Sequence, residues 1–388
     1  MEQDGMDKFP RATTAIVGSA TYGMGQAPGL GSMDIAVHAS VQALAQAGLT
    51  PRDVDGVFVA LPDDFLSGLS LSEYLGITPR ISDNNRTGGS SFQTYVLMAA
   101  LALASGQCNV ALIAYGSNQR SGAGKLVSGM KASPYEAPYK PMRPISAYAL
   151  AAARHMHEFG TRKEQLGAVA LAARQWAQLN PDAVMRDPLT MDDYLGARMI
   201  SDPFGVRDCC LLTDGGAAIV MVRADRAKDL VRKPVYVLGA AESTDHLAIS
   251  SMPDLTTTAA ALSGPRAFAQ AGVKPSDIDV VQVYDAFTIN TILFLEDLGF
   301  CKKGEGGAFV EGGRIAPGGS LPVNTNGGGL SCVHPGMYGL FTLVEATRQL
   351  SGTAGERQVA GARLAVAHGN GGELSHQATV ILGTEETV

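Results

Sequence analysis

The sequence is poor in charge and in aromatic rings. Charged residues fill 17% of its 388 positions and aromatics 6%, with Trp176 the single tryptophan. Basic residues are not in excess, since the formal net charge is −7. No stripe of lysine and arginine is on hand to neutralise a phosphate backbone, so nucleic acid is excluded as an expected partner. The five cysteines (Cys108, Cys209, Cys210, Cys301 and Cys332) contain no Cys-x-x-Cys pair. An odd number in so long a chain argues against a disulfide scaffold and for the reduced thiols of a cytoplasmic protein. It also leaves no ligand spacing for a structural metal, and none is expected. The longest apolar run, Tyr95 to Ala104, is ten residues. A membrane span needs about 18 or more. The polar, acidic start Met1-Glu2-Gln3-Asp4-Gly5 is not expected to act as a signal peptide.

What the chain does have is apolar bulk and glycine. Hydrophobic residues reach 46%, enough for a sizeable core and too many for global disorder. The 46 glycines amount to about 12%, against a usual ~7%. They cluster without a period, as tight loops near a site would. Thr14 to Val17 reads as a strand ending in Gly18. Residues 33–47 read as a helix, with Ile35, Val37, Val41, Leu44 and Ala45 near a 3.6-residue period and Gly48 as its stop. Asp55 to Leu61 reads as a buried strand, 90–105 as a central helix apolar all round, and Asn109 to Tyr115 as a second buried strand. This alternation predicts an α/β body. Residues 117–205 break the rhythm with polar loops and amphipathic helices over 146–159 and 163–179, and read as an insertion. Ala217 to Val222 returns to strand.

The chain then repeats itself. Residues 45–59 align with 269–283 at a constant offset, with nine of fifteen positions identical, among them Gly48/Gly272, Pro51/Pro275, Asp53/Asp277 and Asp55/Asp279. The shared unit is a helix, a glycine cap, a proline-led turn and a buried strand. Ile113-Ala114-Tyr115-Gly116 is echoed by Val366-Ala367-His368-Gly369. Two copies at so long a period predict two similar halves, 1–230 (including the insertion) and 231–388, packed about a pseudo-twofold with a site between them.

Three segments of the second half carry polar, titratable residues at the ends of apolar elements: Tyr284-Asp285-Ala286-Phe287, the glycine-rich stretch Asn324 to Gly339, and His368-Gly369-Asn370-Gly371. Ligands meet the carboxyl ends of strands in such sheets. In this order the segments resemble the thiolase superfamily, and its sterol-carrier-protein branch in particular. Tyr284-Asp285-Ala286-Phe287 is similar to its Asn-Glu-Ala-Phe segment, Gly328-Gly329…His334-Pro335 to its Gly-Gly…His-Pro segment, and His368-Gly369-Asn370-Gly371 to its Cys-x-Gly segment. The resemblance implies a thiolase-like fold: two duplicated α/β halves in a five-layered αβαβα body with a loop insertion.

The departures from that family narrow the reading. Thiolases carry an acyl-accepting cysteine where the central helix of the first half begins. Here that entry reads Gly88-Gly89-Ser90-Ser91, with Gly89 near the nucleophile's position and no cysteine before Cys108. Tyr284 replaces an asparagine, His368 a second cysteine, and Tyr338 a small residue. The combination resembles the cysteine-less, thiolase-like aldolases that cleave steroid side chains as CoA thioesters. That resemblance implies coenzyme A as part of the substrate, no other cofactor, a homodimer, and a small OB-fold partner bearing a zinc ribbon. It also implies Tyr284 and Tyr338 as acid/base residues.

Retro-aldol cleavage of a β-hydroxyacyl-CoA needs a base for the hydroxyl proton, an oxyanion site for the enolate and an acid for its carbon. Tyrosine suits proton transfer if neighbours lower its pKa of about 10. His334 and the amides of Gly88-Gly89-Ser90 are the expected oxyanion donors. Asp285 would orient Tyr284 or bind substrate, His368 would orient or relay, and Gly328-Gly329 would let backbone approach the ligand. Two alternatives stand beside this: acyl transfer with another nucleophile, Ser90 or Ser91, which needs an adjacent base, and a non-catalytic acyl-CoA-binding scaffold. His155 and His157 read as surface or packing residues and Cys209-Cys210 as packing. Lys125, Lys131 and Lys140 read as solvated charges with CoA phosphates as the rival role. His38, His246 and His376 receive no role.

Overall fold

The duplicated segment folds into the same object twice, and among its identical residues are carboxylates that bind backbone. The computed structural model describes residues 9–123 and 133–388. The first half contains β1 (Thr14–Gly25), α1 (Ser32–Gln46), β2 (Gly56–Val59), α2 (Ser67–Leu75), β3 (Ile81–Asp83), α3 (Ser91–Ala104), β4 (Val110–Ser117), the insertion helices α4 (Ile145–Phe159) and α5 (Lys163–Gln178), and β5 (Asp214–Arg223). The second contains β6 (Val235–Thr244), α6 (Ala260–Ala271), β7 (Val280–Val283), α7 (Thr288–Asp297), α8 (Gly339–Ser351), β8 (Leu364–Gly371) and β9 (His376–Gly383). Beyond α1 and α6 the chain turns at Gly48 and Gly272, with φ of 71° and 69°, a conformation that glycine adopts without strain. Asp53 accepts the Thr50 amide and Asp277 the Lys274 amide, each at 2.8 Å. Asp55 then accepts the Asn109 and Val110 amides at 2.7 and 2.9 Å, and Asp279 those of Arg363 and Leu364 at 2.8 and 2.9 Å. These carboxylates pin each turn to the strand beside it.

Among the described residues, nine strands form one sheet in the order β3-β2-β4-β5-β1-β6-β9-β8-β7. In the first half β2 runs parallel to β4, which is antiparallel to β5, itself antiparallel to β1. The second half repeats this as β7, β8, β9 and β6. The halves meet through two residue pairs, Ala15 with Tyr236 and Ile16 with Val235. Helix α1 covers one face of the first half and α6 the corresponding face of the second, while α3 and α8 each pack against strands of both halves. The order is helix, sheet, helix, sheet, helix. Helix α3 is apolar because most of it is buried against strands of both halves, although Met98 and Leu101 remain exposed. Strand β1 runs past the expected Gly18 to Gly25. A register shift between Ile16 and Gly18 lets pairing with β5 continue.

The insertion is fastened to the second half by buried polar contacts. His155 binds Thr161 at 2.7 Å and Glu296 of α7 at 3.1 Å, which makes it a packing residue, whereas His157 is exposed. Asp208 takes Lys163, Tyr194 and Thr288, the last at 2.7 Å. Lys140 is exposed, and Lys125 and Lys131 lie outside the described residues. No helix among the described residues is long and apolar enough to cross a membrane.

Candidate active site

Two equivalent helix entries meet at the centre. Gly88, Gly89 and Ser90 lead into α3, and Tyr338 leads into α8. A Cβ on Gly339 would lie 3.0 Å from the Gly89 carbonyl carbon, so the entries touch backbone to backbone. The Gln93 amide fastens them, donating to Gly339 O and Thr342 Oγ1 at 2.9 Å each.

Tyr284, at the end of β7, lays its ring over Gly89. A Cβ on Gly89 would lie 2.8 Å from Tyr284 Cζ and closer still to Cε2. The Tyr284 hydroxyl stands 3.0 Å from His334 Nε2 and 3.2 Å from the Gly336 carbonyl, to which it can donate. With the phenol proton on Gly336 O, the imidazole Nε2–H donates to Tyr284 and Nδ1 carries the lone pair. Nδ1 is buried without a partner. Tyr338 packs edge-on against Tyr284 at 5.7 Å, stacks with His334 at 6.2 Å and donates to Asn326 Oδ1 at 2.9 Å. Asp285 accepts the Gly329 amide at 2.6 Å and, more weakly, that of Leu330 at 3.4 Å. A Cβ on Gly328 would stand 2.7 Å from Asp285 Cγ, so the Gly328-Gly329 pair exists to let the loop close on this carboxylate.

Burial sets the protonation states. The phenols of Tyr284 and Tyr338 are both pushed well above 10, chiefly by desolvation. This reverses the expectation of a lowered phenol pKa: among the described residues no cation stands beside either ring to favour a phenolate. Both tyrosines rest neutral. His334 is pushed down to about 4 by burial and is a neutral imidazole at pH 7. Asp285 is raised to about 7, again by burial, with the Gly329 and Leu330 amides opposing. It is the group of this cluster poised to change charge near neutrality. Burial raises every thiol, Cys108 to about 11, Cys209 and Cys301 to about 12, and Cys210 and Cys332 upward as well, so none is a ready thiolate.

His368 is not brought to this cluster. Its ring nitrogens bind Thr379 Oγ1 at 2.9 Å and Gln377 Oε1 at 3.0 Å on β9, and Phe294 packs on the ring. Alternation along β8 turns His368 away from α3 while its neighbour Gly369 packs against it. His376, given no role from sequence, lies instead beside the α3 entry. Its Nδ1 is 2.8 Å from Ser90 Oγ and its Nε2 3.4 Å from Glu242, which also binds Thr94. The hairpin register that sets Gly371 opposite His376 creates this contact, and no local motif announces it. Asn326 was also missed, although its place in the Asn-x-Asn-Gly run ahead of the glycines marks it as a turn residue that could face inward. Among the described residues no group of three or more His, Cys, Asp or Glu could hold a metal ion.

Comparison with known proteins bears on this arrangement. Residues 241–384 match the family model "Thiolase C-terminal domain-like". The chain is 32% identical to an acetyl-CoA acetyltransferase of Methanothermobacter thermautotrophicus, over 92% of this chain and 96% of that protein. It is 34% identical to the 17-hydroxy-3-oxo-4-pregnene-20-carboxyl-CoA lyase of Mycobacterium tuberculosis, over 88% and 92%. Among solved structures it superposes on the Ltp2-ChsH2(DUF35) aldolase with a TM-score of 0.89 and 31% identity, covering 97% of this chain and 98% of that one.

Proposed function

The chain belongs to the thiolase superfamily, and from that premise we propose that it is a C–C lyase, cleaving a β-hydroxyacyl-CoA by retro-aldol chemistry of the steroid side-chain type. One observation carries this choice. The Tyr284 ring occupies the space above Gly89 that an acyl-accepting side chain would need. A phenol bonded to an imidazole stands there in place of a nucleophile.

The chemistry follows from the protonation states. The β-hydroxyl of the substrate docks against Tyr284 and gives up its proton. The Cα–Cβ bond breaks, leaving a free carbonyl compound and the enolate of the shortened acyl-CoA. The bond's electron pair moves to the thioester oxygen, held by amides at the α3 entry and by the His334 Nε2–H, which it shares with the Tyr284 oxygen. A neutral phenol, Tyr338 or Tyr284, protonates the enolate carbon, and the departing hydroxyl proton restores the pair. Asp285, matched to neutral pH, accepts the hydroxyl proton in its ionised form and returns it to the phenol that has protonated the enolate, so that no net proton is gained or lost. Its field reaches Tyr338, whose pKa it pushes up. Coenzyme A enters as part of the substrate.

By the same likeness the chain works with a partner of the DUF35 kind that the Ltp2-ChsH2(DUF35) aldolase names, expected as a small OB-fold protein bearing a zinc ribbon, and pairs with a second copy. Exposed Phe65, Leu66 and Leu69 offer an apolar face for pairing. The Phe65 carbonyl is tied to Asn84, next to edge strand β3, at 2.8 Å. The junction of the halves at 230/231 and a cytoplasmic location belong to the same reading.

A second reading has its own support. His376 beside Ser90 supplies the adjacent base that a serine nucleophile requires, and one relative is an acetyltransferase. One experiment separates the two. The protein, alone and with its partner, is given a β-hydroxyacyl-CoA and, separately, a β-ketoacyl-CoA with free CoA. Release of a free aldehyde or ketone with no acylated protein by intact mass spectrometry supports the lyase. CoA-dependent release of acetyl-CoA, with an acyl group trapped on Ser90, overturns it.

A further inference from the structure

Behind the Gly329-Leu330 loop lies a cavity of about 280 Å³ whose walls include Arg174, Arg207, Met185, Leu189, Cys210 and Leu330. At about 30 Å³ per water it has room for a compact chain end. Its position ties it to the reacting centre. Leu330 donates its amide to Asp285, Cys210 donates its own to Ala286 O at 2.8 Å, and Arg174 Nε donates to Ser331 Oγ at 3.0 Å.

The two arginines are the unusual feature. Arg174 is 4% exposed and Arg207 half-buried. Arg174 binds a hydroxyl and, at 2.9 Å, the Asp187 carbonyl, both neutral acceptors. Among the described residues neither guanidinium forms an ion pair. The carboxylates of Asp187 and Asp193 act on them as charges without forming an ion pair. Each arginine also repels the other, and that repulsion with desolvation lowers the Arg174 pKa. Two cations brought together in a partly buried cavity without an anion are costly unless the ligand supplies one.

Resting on the lyase reading, we propose that this cavity receives the far end of the acyl group and that Arg174 and Arg207 bind a carboxylate there, so that the substrate is a carboxyacyl-CoA. A carboxylate matches the planar guanidinium fork in shape and charge. The phosphates of coenzyme A are the other anions of the same substrate. They lie a full pantetheine arm from the thioester, whereas Arg174 binds Ser331, the residue that follows the loop amides holding Asp285.

The test uses binding of two non-cleavable probes, so that it does not depend on turnover. Suberoyl-CoA and octanoyl-CoA share a chain length and differ in a terminal carboxylate. Calorimetry on the intact protein with its partner is expected to show suberoyl-CoA bound roughly tenfold or more tightly than octanoyl-CoA. Arg207→Met, at the more exposed of the two positions, is expected to abolish that preference while leaving octanoyl-CoA affinity unchanged. Arg174→Lys keeps the charge and is expected to retain part of the preference. Equal affinity of the wild type for both probes overturns the proposal. An Arg207→Met loss shared equally by both probes and by free CoA also overturns it, assigning the arginines to the phosphates. If the preference holds while no β-hydroxyacyl-CoA is cleaved, the lyase reading fails and the carboxylate site stands.

Discussion

A Cβ atom on Gly89 would stand 2.8 Å from Cζ of Tyr284, inside van der Waals contact. The absence of a nucleophile and the presence of a tyrosine are therefore one structural fact. Neither side chain can be enlarged at position 89 while the ring stays. Gly89→Ala is expected to push the Tyr284 ring off His334, lower stability by about 1–3 kcal/mol through overpacking and cut cleavage about 100-fold or more. Thermal unfolding and steady-state turnover of the variant check both. Unchanged turnover would show that the phenol's position is immaterial.

The two phenols are separable. Tyr284→Phe removes the hydroxyl bonded to His334, and Tyr338→Phe removes the one bonded to Asn326. Each is expected to lower kcat about 100- to 10,000-fold with the fold intact. Circular dichroism and turnover together check this. A variant with near-normal kcat exempts its tyrosine from proton transfer.

Much of the fold was legible because the residues that specify it act locally. Gly48, Pro51 and Asp53 each bind or bend backbone within a turn and Asp55 ties that turn to the next strand, so their recurrence at 272, 275, 277 and 279 announced a duplicated unit. The Tyr284, His334 and Tyr338 cluster was legible from its motifs. What escaped depended on register and burial. His376 reaches Ser90 only because the hairpin sets it opposite Gly371, and His368, three pairs along the same hairpin, points the other way. The raised phenol pKa values follow from complete burial, which a sequence motif does not state.

His368 and His334 thus predict opposite phenotypes. His368→Ala orphans the Gln377 Oε1 in a buried site, while Thr379 keeps Ser263, and is expected to cost about 1–3 kcal/mol, with kcat per folded molecule unchanged. His334→Ala removes an oxyanion donor and is expected to lower kcat about 100- to 1,000-fold. Urea unfolding combined with active-site-normalised rates checks the pair. Loss of kcat in a stable His368→Ala protein would return that residue to the chemistry.

Asp285 sets the pH dependence. Burial raises its carboxyl to about 7, above the unfolded value near 3.9. Its ionised form serves as the proton acceptor, so the rate is expected to climb as pH rises through about 7, and Asp285→Asn is expected to abolish that limb along with most of the rate. Stability moves the opposite way. Between about 4 and 7 the folded protein holds a proton that the unfolded chain has released, so this group's contribution is complete below about 4 and is lost as pH rises through about 7. The asparagine variant carries no such proton. Its melting temperature relative to wild type is therefore expected to be more favourable at pH 8 than at pH 5, as differential scanning calorimetry at the two pH values would record. An unchanged difference would mean that Asp285 is already ionised in the folded protein at pH 5, and the proton acceptor would have to be sought elsewhere.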